Sequence, residues 1–266
     1  MTPMFVDSHC HLDRLDLTPY QGDFAQLIRE THEAGVSELL CVSINLERYP
    51  AMRKLIEPYP GVSVSVGVHP NEEHCQEPTA EALAALATDS RVVAIGETGL
   101  DYFRSAGELE WQRDRFRRHI HAAHMSQLPI IVHTRQARAD TLSILKEEQA
   151  RDVGGVLHCF TEDWATAKSA IEMNFYISLS GILTFKNAAD LQEVARKLPM
   201  DRILIETDSP YLAPIPKRGK PNYPAYVLHV AECLAMLRGV TLEEVARQTA
   251  ENFHRLFSKA PSSVVV

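Results

Sequence analysis

Eight short apolar runs rich in β-branched residues alternate with nine stretches of helical spacing, and this alternation limits the fold of the 266-residue chain more than any other feature. The runs are Phe5–Ser8, Glu38–Ser43, Val62–Val68, Val92–Gly96, Ile130–Thr134, Gly155–Phe160, Tyr176–Ser180 and Ile203–Glu206. Helical spacing predicts Phe24–Ala34, Arg48–Glu57, Ala80–Ala87, Glu108–Gln127, Ala139–Glu148, Trp164–Met173, Ala188–Leu198, Tyr226–Arg238 and Leu242–Phe257. Near-continuous apolar strands such as Pro129-Ile130-Ile131-Val132 suit a parallel sheet covered by helices. Eight such units in this length predict an α/β protein, a (β/α)₈ TIM barrel, with an open doubly wound sheet as the alternative. One domain is expected over residues 1–266, with a loosely ordered tail at 260–266.

Composition narrows the partners. No run approaches the roughly 18 apolar residues of a membrane span, and no basic segment followed by an apolar stretch opens the chain. A cytoplasmic protein without a membrane partner, monomeric or weakly oligomeric, is expected. The five cysteines are scattered and never spaced C-x-x-C, which argues against a disulfide framework and a cysteine zinc site. A formal charge of −8 does not attract polyanions over the whole surface, so any nucleic acid must be held locally.

Residues that ligate metals recur at the C-terminal ends of these runs. His9 and His11 close the first, and side chains two apart on a strand share a face, with Cys10 turned towards the helices. Glu97, His133, His158 and Asp208 follow later runs. Each alone has an ordinary structural explanation, but barrels build their sites from the C-terminal mouths of several strands, where six such residues would converge. Four imidazoles and two carboxylates exceed the needs of one tetrahedral ion. They suit two divalent ions about 3.5–4 Å apart, with a shared carboxylate and open water positions. Glu97 is the bridging candidate, and Asp208 the group that both coordinates and accepts the proton of the attacking water. Imidazole suits zinc or nickel and carboxylate admits manganese or magnesium, so the metals stay open. The chemistry implied is metal-assisted hydrolysis.

Other chemistries lack their motifs. Neither a G-x-S-x-G elbow nor a G-x-x-x-x-G-K-[ST] loop occurs, and Gly96-Glu97-Thr98-Gly99 lacks the dinucleotide spacing.

The segments VDSHCHLD, VGVHP, GETGLDY, HTR, GGVLHCFT and ETDSPYLAP resemble those of the TatD family of metal-dependent deoxyribonucleases, in its YcfH-like branch, from Phe5 to about Phe257. The resemblance implies an amidohydrolase-like barrel. In it His9, His11, Glu97 and Asp208 hold one ion, and Glu97 bridges to a second held by His133 and His158. It further implies a deoxyribonuclease or phosphodiesterase acting on DNA through a metal-bound hydroxide. The alternative is hydrolysis of a carboxylic ester, as in a D-aminoacyl-tRNA deacylase with tRNA as substrate, and a non-catalytic metal-binding scaffold ranks last. One departure stands out: the family's run RGKRNEP reads here Arg218-Gly219-Lys220-Pro221-Asn222-Tyr223-Pro224.

Further candidates surround this set. Arg218 and Lys220, with Lys217, crowd a proline-rich loop at the expected mouth, where cations hold phosphate oxygens, as would Arg135 just beyond His133. Glu206 is placed to orient a ligand, and His69 and Asp101 to contact substrate or support a ligand. Arg113, Arg115, Arg117 and Arg118, with His119, His121 and His124, spread around one helix and read as an outer solvated surface. Exposed aromatic residues look too sparse for a base-stacking platform.

Overall fold

Eight parallel strands pair in sequence order: β1 (Phe5–Cys10), β2 (Val36–Cys41), β3 (Val62–Val66), β4 (Val92–Asp101), β5 (Ile130–Arg135), β6 (Gly155–Leu157), β7 (Phe175–Leu179) and β8 (Ile203–Ile205). The computed structural model describes residues 4–261. Helices α1 (Phe24–Glu33), α2 (Tyr49–Ile56), α3 (Ala80–Leu86), α4 (Glu110–Ser126), α5 (Arg138–Glu147), α6 (Trp164–Glu172) and α7 (Ala189–Lys197) fill the crossovers, and α8 (Val227–Arg238) and α9 (Leu242–Leu256) end the chain. Just past β8, Asp208 N donates to His9 O at 2.9 Å and His11 N to Ser209 O at 2.8 Å. Those two bonds bring the last strand back to the first, and the expected TIM barrel is the observed one.

Short polar residues start several helices where an unpaired amide needs an acceptor. Asp23, Thr79, Asp163 and Thr241 accept from the amides of Gln26, Ala82, Thr166 and Glu244.

Two apolar layers follow from strand alternation. Cys10 packs in the larger one with Phe24 and Leu27 of α1, and its Sγ donates to Leu40 O at 3.4 Å. The smaller layer joins Val6, Leu40, Val93, Ile131, Val156, Tyr176 and Leu204, and residues from seven strands meet this way only inside the barrel. Phe253 and Phe257 belong to it, so α9 plugs the barrel from the end where strands begin. Asn252 Nδ2 seals that end by donating to Met200 O and Ile203 O, each at 2.8 Å. The opposite end is the mouth.

Three expectations need correction. The strand expected to stop at Gly96 continues to Asp101, because Gly96 and Gly99 take φ of 139° and 129° and let β4 run close against its neighbours. A Cβ on Gly99 would stand 2.0 Å from His133 O, and one on Gly67 2.5 Å from the Gly96 backbone. Secondly, α4 is no wholly solvated helix: Gln112, Arg115 and His119 are buried. Thirdly, Ala260, the first residue of the expected loose tail, is buried, and its amide donates to Phe257 O at 2.8 Å. Residues 262–266 lie outside the described residues.

Candidate metal centre

All six residues named from strand ends meet at the mouth, with Glu97 in the middle. Its Oε1 lies 2.8 Å from His158 Nε2 and 3.2 Å from both His133 Nδ1 and His69 Nε2. Its Oε2 lies 3.3 Å from His9 Nε2 and 3.9 Å from His11 Nε2. Asp208 Oδ1 completes the second side, 3.4 Å from His11 Nε2 and 3.8 Å from His9 Nε2. Asp208 holds this position at a left-handed φ of 56°, a conformation unusual for a residue with a side chain.

Most of the rings are oriented from behind. His11 Nδ1 bonds Val42 O at 3.0 Å, which leaves Nε2 for the centre. His158 Nδ1 lies 3.3 Å from Glu206 Oε1, and His133 Nε2 lies 3.2 Å from Asp101 Oδ2. A carboxylate behind an imidazole fixes its tautomer and raises its basicity as a ligand. Asp101 is itself held, accepting from Asn71 Nδ2 at 2.8 Å and from the amides of Phe103 and Arg104 at 3.0 Å. Glu206 Oε1 likewise accepts from the Cys159 amide at 2.8 Å.

Burial and charge act against each other here. Burial would raise the carboxyl of Glu97, yet His158 and His69, with the bond from His133, hold it well below the usual range. Asp208 is lowered too, burial being outweighed by His11 and His9. Burial favours a neutral His158 ring, but Glu97 and Glu206 raise it well above the ordinary value. In His9 burial and the neighbouring His158 prevail and lower it. Beneath the site, burial pushes the Asp7 carboxyl up to about 8 against its bonds from Thr207.

The residues fit divalent ions on two counts. Ionised carboxylates and imidazoles are the donors such ions take. Both nitrogens of His9, Nε2 of His158 and Oε2 of Glu206 are buried without a well-directed hydrogen-bond partner, an arrangement that costs free energy unless another ligand satisfies it. Among the described residues, three groups have ligand atoms within 4.8 Å of one another: His9, His158 and Glu206; His9, His11 and Asp208; and His69, Glu97 and His133. His69, expected only near substrate or in support, thus stands among the candidate ligand atoms. Arg135 does not reach into the centre; its guanidinium lies 3.9 Å over the Phe103 ring. Arg218 lies 3.9 Å over Phe185, and both Arg218 and Lys220 are exposed on the loop after β8.

Sequence reasoning missed the residues that hold the mouth in shape. His119 Nε2 accepts from Val68 N at 3.0 Å, Arg115 donates to His69 O at 2.8 Å, and Gln112 donates to Pro70 O at 3.2 Å. One face of α4 therefore fixes three consecutive residues beyond β3. Arg115 also pairs with Glu77, and Gln112 Oε1 accepts from Asp101 N at 3.0 Å. Asn222, fully buried in the departing loop, donates to Thr207 O at 2.8 Å and Tyr211 O at 2.6 Å. The spacing of Gln112, Arg115 and His119 was the available signal, a polar stripe at helical intervals.

Comparison with known proteins agrees with this architecture. The family described as TatD related DNase matches residues 6–258. The chain is 49% identical over 253 residues to the uncharacterized metal-dependent hydrolase YcfH of Escherichia coli K12, covering 95% of each chain. It is 33% identical over 249 residues to the 3'-5' ssDNA/RNA exonuclease TatD of Citrobacter rodentium, covering 91% of this chain and 95% of that one. Among solved structures, the TatD homologue YjjV of E. coli K12 superposes with a TM-score of 0.89 at 28% identity, over 97% of this chain and 99% of the other.

Proposed function

Since the chain belongs to the TatD-related DNase family and is a metal-dependent hydrolase, we propose that it cleaves phosphodiester bonds of nucleic acid, DNA foremost, at a two-ion centre. One observation carries this reading: the two oxygens of Glu97 face two different sets of imidazoles, as a bridging carboxylate must. In the proposal His9, His11, Glu97 and Asp208 hold one ion, and Glu97, His133 and His158 the other. The relative named as an exonuclease of single-stranded DNA and RNA supports the choice of substrate.

When bound, two divalent ions would acidify a water and offset charge on a phosphoryl oxygen. The remaining work falls to this chain. Asp208 turns one oxygen to the histidines and offers the other as acceptor for the attacking water's proton. Asp101 and Glu206 keep His133 and His158 from rotating, so their ring nitrogens stay aimed at the centre. The buried floor of Asp7 and Thr207 excludes bulk water and anchors the segment that bears Asp208.

The test is to strip the protein of metal, measure metal content per chain, and reconstitute it with Mn²⁺, Mg²⁺ or Zn²⁺. Assays use a single-stranded DNA oligonucleotide, its RNA counterpart and an aminoacyl-tRNA. Metal-dependent cleavage of an oligonucleotide, abolished by chelator, is expected. Deacylation of the tRNA without oligonucleotide cleavage would overturn the proposal.

A further inference from the structure

Among the described residues, two aromatic side chains are exposed, Phe103 at 55% and Tyr211 at 50%, and both stand at the mouth. Single exposed apolar residues are common on soluble proteins. Two rings at the same rim, each tied through its backbone amide to an aspartate there, Phe103 to the Asp101 carboxylate and Tyr211 to the Asp208 main-chain carbonyl, are a different matter. The Phe103 amide donates to Asp101 Oδ1 at 3.0 Å, and Asp101 Oδ2 faces His133. The Tyr211 amide donates to Asp208 O at 2.9 Å, its carbonyl accepts from Asn222, and its ring lies 6.0 Å from that of His11.

Topology places them apart. Phe103 follows β4 and Tyr211 follows β8, four strands away in an eight-stranded order, so they stand on opposite sides of the mouth. Arg135 lies over the Phe103 ring, and this cation in contact with a ring face stands beside the centre on the His133 side. A flat ring with an adjoining cation is a favourable seat for a nucleobase whose phosphate lies nearby.

We propose that Phe103 with Arg135, and Tyr211, are two base-stacking stations that hold the nucleobases on either side of the scissile phosphodiester. The inference rests on the nucleic-acid reading above and sharpens it: the substrate is an unpaired strand, since a base within a duplex has no free face for either ring. It departs from the expectation that exposed aromatic residues are too sparse for such a platform: two are exposed, and the proposal needs no more than these two.

The experiment uses the full-length, metal-loaded protein with a single-stranded hexanucleotide and a matching hexanucleotide made abasic on both sides of the cleaved bond. Binding is read separately by fluorescence anisotropy on phosphorothioate versions that resist cleavage. Phe103→Ala and Tyr211→Ala should each raise KM and Kd for the normal strand about 10- to 100-fold, with kcat changed less and metal content unchanged. Phe103→Trp and Tyr211→Phe should restore the normal values. The abasic strand should bind weakly to every form, indifferent to these substitutions. Cleavage of the normal strand with KM unchanged in both alanine variants would overturn the stations and leave the nuclease standing. Ring-dependent binding without cleavage would support the stations and overturn the nuclease. Neither binding nor cleavage would overturn both.

Discussion

Glu97 and His158 meet at 2.8 Å, the shortest approach between a carboxylate and an imidazole in the centre, while the other oxygen of Glu97 lies 3.3 Å from His9. One side chain thus connects strands from both halves of the barrel, and its loss would affect both proposed ion sites together.

Glu97→Gln keeps the volume and removes the charge. Metal content should fall from two ions per chain to one or none, and hydrolysis should drop by more than about 100-fold, beyond what loss of an outer partner causes. Full metal occupancy in the variant, read by elemental analysis, would show that Glu97 does not bridge.

Asp101→Asn and Glu206→Gln act behind the ligands. Each should weaken metal affinity by about 10- to 100-fold in a chelator competition, without loss of fold in circular dichroism. Unchanged affinity would mean that His133 and His158 keep their orientation unaided.

Gly99→Ala places a methyl group 2.0 Å from His133 O. Overpacking of this kind costs about 1–3 kcal/mol, and here the displaced residue is a ligand candidate, so stability and activity should fall together. Gly107 also has positive φ, 89°, yet a Cβ there meets open space. Gly107→Ala therefore isolates backbone strain, and activity should survive it. Equal loss in both variants would refute the clash.

Burial lowers His119 to about 3. Between its ordinary value and that one, the unfolded chain binds a proton that the folded chain refuses. The stability His119 allows is full above about pH 6.5 and is lost as pH falls towards 3. From pH 7 to pH 5, in chelator, the wild type should lose about 2 kcal/mol more than His119→Gln in urea unfolding. Parallel losses would place the acid sensitivity elsewhere.

Much of the barrel was readable because its strands are buried on both faces and its helices follow plain periodicity. The strand ends marked the chemistry, since His133 and His158 each follow an apolar run directly and His9 stands at the end of the first. What escaped was polarity turned inward. The face of α4 that carries Gln112, Arg115 and His119 packs on the mouth loops, so its buried stripe reads as a solvated one. β4 hid its second half because Gly96 and Gly99 break the apolar pattern where close approach to neighbouring strands requires glycine. Phe103 and Tyr211 escaped because a composition records how many rings a chain has and not where they stand.

With Phe253 and Phe257 wedged into one end, the barrel is a cup and not a tube. A polymer has no passage through it, so in the proposed reaction the strand arrives and its pieces depart by one opening. On that reading departing product and arriving substrate share the doorway, and turnover is an exchange at the threshold between the two proposed stations.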